Sequence, residues 1–481
     1  TSDAQSNTVG GTGAGASFSG TDATDNTLFG KDAGNDITTG DSNTAFGSFA
    51  LDANTSANQN SAFGYAALSS NTTGSPNTAL GGYALVLNTT GARNSATGYY
   101  SLYSNTTGVN NCAFGDSCLS NNTTAANNTA MGYNALNVNT TGASNVAVGA
   151  NALDANTTAG SNVAVGASSL GQNTEGFQNT SVGADSMAAN TTGDYNVAFG
   201  SQALESNTTA NRNTAIGTFS LETNTTGQFN TGCGGWTLQA NTTASYNTAV
   251  GYNALTVNTT GAYNVAIGYN ASDSNNGSNN VVIGSQAMQS ATAVSKSVVI
   301  GDQAMFTHTG TGDEKNVMVG FGAGYAETTG YSNTFIGTNA GGSVTTGTNN
   351  TAVGFQAANN NTTGSFNISI GRQAYPSSST ASNQCTLGDS EINNLRCNDT
   401  SISSLSDERD KTEIIDLPIG LNFINGLKPR KFKWATRDGN IKDGKYRAGF
   451  IAQELQSLQS STSADYLDLV LDDNPDKLEA T

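Results

Sequence analysis

From residue 26 onward the apolar positions come in short bursts: a small residue, a branched or aromatic one and a glycine, with leucine four residues later. The first are Ala45-Phe46-Gly47 with Leu51, Ala62-Phe63-Gly64 with Leu68 and Ala79-Leu80-Gly81 with Leu85. With glycine as a ruler, the series runs from Gly30 to Gly268 in unbroken steps of seventeen residues. Gly284, Gly301, Gly320, Gly337, Gly354 and Gly371 continue it, with one step shorter and one longer. Asparagine stands four residues before each glycine, from Asn43 to Asn264, and again from Asn54 to Asn258, there nearly always in Asn-Thr-Thr.

Seventeen is not a helical period, and glycine, Asn-Thr-Thr and β-branched residues favour turns and strands. The pattern predicts an all-β fold, a parallel β-solenoid with one repeat per turn, its like residues stacked about 4.7–4.9 Å apart. Two short strands and two bends are expected in each turn. About 21 turns at roughly 4.8 Å each give a rod on the order of 100 Å. Asn54, Asn71 and their successors read as a turn ladder, since asparagine tolerates left-handed dihedrals. Most are also Asn-x-Thr sequons, but the turn role is the expected one. A coil this thin buries little surface alone, so copies are expected side by side, burying the alanine column Ala45, Ala62, Ala79 and Ala96 between them.

Beyond Gly371 the repetition lapses and the composition changes at Ser406. The chain is expected to divide into a lead segment (1–25), the repeat rod (26–384), a neck (385–405) and a small α+β domain (406–481), the last truncated relative to its kind. The start at Thr1 without methionine implies an upstream segment.

Charge narrows the partners. A net charge of −18, with 18 basic against 36 acidic residues, argues against nucleic acid and anionic membrane. Only 11% of residues are charged, well under the usual share of about 25%. Eleven of the basic residues follow Asp407, beside 14 acidic ones, so Lys428, Arg430, Lys431 and Lys433 read as a solvated or partner-facing strand edge. Cys112, Cys118, Cys233, Cys385 and Cys397 form no CxxC pair; they are expected to be apolar fillers, with no disulfide framework, metal or cofactor. No apolar run reaches a membrane span, and no signal peptide opens the chain.

The motif Asn213 to Gly217 (NTAIG), like Asn264 to Gly268 (NVAIG), resembles the head repeats of trimeric autotransporter adhesins and the repeats of phage tail fibres. The resemblance implies a homotrimer of parallel β-rolls, left-handed in the adhesins. At the other end, Ser406, Asp407, Arg409 and Lys411, then Gly420 to Ile424, Leu427 to Trp434 and Gly449 to Glu454, resemble the S74 family of intramolecular chaperones that end phage tailspikes and fibres. That resemblance implies trimerisation followed by self-cleavage between Ser406 and Asp407. Ser406 would supply the hydroxyl and Lys411, desolvated, the base. A plainer reading makes Ser406 a helix N-cap with Asp407, Glu408 and Asp410 in the first turn, and both can hold.

These readings imply a trimeric fibre at a virion tail or extracellular surface, anchored through its N-terminus and meeting a host receptor or glycan. Its only expected chemistry is one self-cleavage. The irregular turns Ser272 to Gly320, with the sole histidine His308, are the expected contact region unless they are simple repeat decay. The alternatives are a bacterial surface adhesin, an ice-binding solenoid and a glycan-acting enzyme with a site between chains.

Overall fold

The computed structural model describes residues 5–19, 22–392, 420–433, 444–462, 464, 467, 470–471 and 479–480. The chain forms two compact units, Thr1–Leu387 and Gly388–Thr481. In the first, 23 strands form one parallel sheet, beginning at Thr8↔Thr27 and ending at Ile370↔Leu387. Pairing is strictly in register with the repeat, as in Val146↔Val163, Ala147↔Ala164 and Val148↔Val165. The all-β parallel solenoid is therefore the fold.

Each turn holds one strand of three or four residues rather than the expected two. The remainder is a chain of tight turns, because residues two and four past the ruler glycine, such as Asn151 (φ 56°) and Leu153 (φ 51°), are left-handed. Left-handed residues at alternate positions prevent an extended run. The turns still bond from coil to coil, as Leu136 N–H does to the Ala152 carbonyl at 3.0 Å. A second, two-strand pairing, Ala293–Ser295 with Thr311–Asp313, occurs only where the repeat lengthens.

The strand's period of two decides what is inside. Ala45, Ala62, Ala79 and Ala96 point into the coil and are wholly buried with Leu51, Leu68, Leu85 and Leu102. The alanine column therefore lines the interior of a single chain and does not lie between copies. Its small size leaves room for leucine, and in two turns that lack leucine the volumes exchange. Gly324 and Gly341 replace leucine, and the strand alanine becomes Met318 and Phe335, whose side chains occupy the vacated space.

The two asparagine columns are buried as well. Asn145 N–H donates to Asn128 Oδ1 at 2.9 Å, and its Nδ2 donates to the Ala159 carbonyl at 2.9 Å. Asn156 Nδ2 donates to that same carbonyl at 3.0 Å and to Asn139 Oδ1 at 2.9 Å. The two ladders thus meet at one carbonyl in most turns. The Asn-x-Thr amides are consumed inside the rod, which bears out their turn role. The ruler glycine is equally constrained: Gly166 has φ 135°, and a Cβ there would lie 2.4 Å from the Gly183 oxygen.

Replacing Asn156 with alanine strands Asn139 Oδ1 and leaves the Asn173 amide with the Gly176 carbonyl alone, which would cost about 1–3 kcal/mol of local stability. Amide exchange should accelerate in the adjoining turns and not at the rod ends; a uniform or absent change would contradict the ladder's role.

Candidate functional site

Ser406, Asp407, Arg409, Lys411 and Trp434 lie outside the described residues, so the sequence-derived cleavage site and its N-cap alternative have no geometry to report. The parts of the same domain that are described follow from their sequence. Helix α1, Leu421–Gly426, buries Phe423 and leaves Leu421 and Ile424 at 74% and 61% exposure. Strand Arg430–Phe432 pairs antiparallel with Arg447–Gly449. Helix α2, Ala452–Ser461, buries Ala452, Leu455 and Gln459, a one-sided stripe at helical spacing. Leu427 packs on that stripe.

The basic cluster is exposed, and three of its cations are engaged. Arg430 grips Glu454 through two bonds, Nε to Oε2 at 2.8 Å and Nη2 to Oε1 at 2.5 Å. That fork holds the Glu454 carboxyl below its usual range. Lys431 and Lys433 stand 4.3 and 4.4 Å from the Tyr446 ring centroid. Leu421, Ile424, Tyr446 and Phe450 remain exposed beside this small core, a surface suited to apolar contact with another chain.

The rod's outward strand face is the second candidate, and sequence reasoning missed it. The residue before each ruler glycine points out: Phe46, Phe63, Phe114, Phe199, Ile216 and Ile370 are each 37–57% exposed. Two residues earlier a threonine or valine also faces out, as Thr44, Val146 and Thr214 do. The Thr-Ala-Phe alternation carried that signal, since alanine and leucine already fill the interior. The Cys118 thiol is buried, and burial pushes its pKa up to about 12. Cys112 and Cys385 are exposed, so the filler reading holds for Cys118 and not for them; the described cysteines are free thiols.

His308 is wholly buried and so cannot touch a receptor. It occupies the turn-ladder position, where Ala291, His308, Glu327 and Val344 replace asparagine in four successive turns. Its Nε2 lies 4.0 Å from Glu314 and its Nδ1 3.9 Å from Glu327, on opposite edges of the ring. Neither nitrogen has a hydrogen-bond partner, nor does Glu327 Oε2; Asn333 donates to Glu327 Oε1 at 2.6 Å. Among the described residues no group of three or more such side chains is placed to hold a metal. Burial lowers the His308 pKa to about 4 and drives that of Glu327 well up.

Residues 406–462 match the family model described as Peptidase_S74, chaperone of endosialidase. The chain thus carries an S74 chaperone domain behind a long 17-residue-repeat solenoid, an arrangement consistent with phage tail fibres and tailspikes. No curated protein matches the sequence. No helix among the described residues is long and apolar enough to cross a membrane.

The buried His–Glu pair sets a pH dependence. Unfolding lets His308 bind a proton below its ordinary pKa of 6.5, so its contribution weakens the fold as pH falls from 6.5 to about 4. Unfolding lets Glu327 lose a proton above its ordinary 4.5, so its contribution weakens the fold as pH rises past 4.5. Between 4.5 and 6.5 the two slopes oppose each other. Local stability should vary less with pH there than it would with either group alone. Amide exchange around residues 308–333, corrected for intrinsic rates, should show this profile, and His308→Asn with Glu327→Asn should flatten it.

Proposed function

We propose that the chain is a homotrimeric attachment fibre of the phage tail-fibre type, whose C-terminal domain brings three copies into register and then leaves by self-cleavage. The S74 match carries this reading, and the outward strand face supports it. With 23 strands, that face is a strip about 10 Å wide and roughly 100 Å long, on the order of 1,000 Å². About half of that strip, the column before each glycine, is largely apolar, and a monomeric protein rarely exposes more than a few hundred Å² of contiguous apolar surface. Three copies turning this strip inward would bury it.

The need for a folding domain follows from the repeat. A slip of one whole turn preserves nearly every ladder contact, so register is weakly specified within the rod. The outward column does vary from turn to turn, through Phe63, Leu80, Thr97, Phe114, Met131 and Val148. Matching turns would pack equal volumes at the seam, and a clamp at one end would select that alignment.

For the cut itself, Ser406 Oγ attacks the carbonyl carbon of the Ser406–Asp407 peptide bond while Lys411 accepts its proton and passes it to the leaving nitrogen. That C–N bond breaks, Asp407 leaves as the new amino terminus, and water hydrolyses the resulting ester to the Ser406 carboxylate and free hydroxyl. The virion or surface location, the N-terminal anchor and the receptor belong to this proposal. A bacterial surface adhesin would use the same rod. Ice binding gains one observation, because Thr44, Thr129 and Thr214 do lie on the flat strand face, yet the exposed Phe46 and Phe199 in the adjoining column break the regular hydroxyl array. Thermal hysteresis would separate it.

Intact and native mass test the proposal together. Wild-type chains should end at Ser406 and run as trimers, while Ser406→Ala and Lys411→Ala chains should remain uncut. A monomeric wild type would sink the fibre reading. Val165→Glu with Val182→Glu, placing carboxylates on the seam, should lower the trimer fraction at least tenfold and leave the circular-dichroism spectrum of the coil unchanged.

A further inference from the structure

The left-handed position two residues past the ruler glycine is occupied in most turns by Asn, Ser, Asp or Gln, as at Asn134, Ser168, Asp185 and Gln202. These side chains tolerate positive φ or are small enough to bear it. Five turns instead place large aromatic rings there: Phe49 (φ 62°), Tyr83 (φ 59°), Tyr100 (φ 57°), Phe219 (φ 58°) and Trp236 (φ 62°). Bulky residues are outliers in that region, and most turns avoid them in this column.

The five fall in two groups. Around Tyr83, rings from successive turns meet: Tyr65 at 5.2 Å edge-on, Tyr100 at 5.3 Å stacked, and Tyr99 at 4.2 Å from Tyr100. Around Trp236, Phe219 lies at 4.5 Å. Both groups share a detail. Gly82 and Gly235 leave no side chain next to the strained aromatic, and the tyrosine ring of the following turn lies within ordinary contact of that position. A Cβ on Gly82 would lie 3.4 Å from Tyr99, and one on Gly235 3.6 Å from Tyr252. Tyr65, Tyr99 and Tyr252 are 50%, 49% and 51% exposed.

The surroundings select the ligand. Residues 53–115 contain one charged residue, Arg93, and residues 213–272 one, Glu222. A phosphorylated, sulfated or carboxylated ligand would find almost no counter-charge at either group. The C–H face of a pyranose is weakly positive and stacks on the negative face of an aromatic ring, while phenol hydroxyls serve its hydroxyl groups. We propose that the Tyr65/Tyr83/Tyr99/Tyr100 cluster, and its counterpart at Trp236 and Tyr252, are binding platforms for uncharged oligosaccharide. This deepens the attachment role proposed above and is independent of the cleavage and of the seam, which mass measurements on the same samples report separately.

The test uses the full-length protein with cellohexaose, chitohexaose and maltohexaose, and hexagalacturonate as the charged control, followed by titration calorimetry and saturation-transfer NMR. At least one neutral hexasaccharide should bind saturably and the hexagalacturonate at least tenfold more weakly. Tyr83→Asn with Tyr99→Ala, combined with Trp236→Asn and Tyr252→Ala, should weaken neutral binding at least tenfold. Asparagine suits the left-handed position, so melting temperature and native mass should hold or rise. Absence of binding by all three neutral sugars, or undiminished binding by the variant, overturns the proposal. So does loss of the native assembly in the variant, which would place these rings between chains.

Discussion

The rod depends on a buried polar constraint. One carbonyl in most turns accepts from two asparagine amides, as the Ala159 carbonyl does from Asn145 and Asn156. A coil of about seventeen residues has too little interior for a large apolar core, and its tight turns leave backbone groups that no regular strand ladder can satisfy. The asparagine ladders satisfy them and tie each turn to the next. Their geometry demands equal spacing and equal dihedrals in every turn. That demand explains the positive-φ glycines, the buried alanine column and the left-handed leucines.

Some interior exchanges conserve volume or bonding. Phe335 with Gly341 replaces the usual alanine and leucine at similar total volume. Ser297 replaces a ladder asparagine, and its hydroxyl still accepts the Asn316 N–H at 3.2 Å. His308 and Glu327 do neither. They leave unpartnered buried atoms, and the neighbouring turns carry the extra strand pair and the Glu314 insertion. The irregular stretch is a defect of the ladder managed from within, which leaves the regular turns to bear the exposed aromatic surface.

Constraint inside leaves freedom outside. The outward strand face and the left-handed column two residues past the glycine vary in side-chain size and chemistry, while the inward columns scarcely change. In the proposed fibre those outward columns divide the work: the strand face meets the other copies, and the aromatic platforms meet the ligand. A self-similar ladder cannot specify its own alignment across chains. The S74 domain at residues 406–462 addresses that shortcoming from outside the repeat.

How much of this was legible in the amino-acid sequence depends on the range of the interaction. Period, turn positions and the parallel stack were readable from Gly30 to Gly371, because local dihedral preference and column identity agree at every repeat. The motifs that signal the S74 domain were equally legible, since Gly420 to Ile424 and Gly449 to Glu454 are contiguous runs. The second strand of each turn was misjudged because leucine favours no left-handed conformation by itself; Leu153 adopts φ 51° only because the ladder imposes it. The direction of Ala45 and Phe46 was also undetermined locally. Alternation says that they face opposite sides, but which side is interior depends on whether leucine four residues past the glycine fills the coil. Packing across the turn decided that. It placed alanine inside, turned the phenylalanines outward and enclosed His308, which the irregularity of its repeat had marked as a contact candidate.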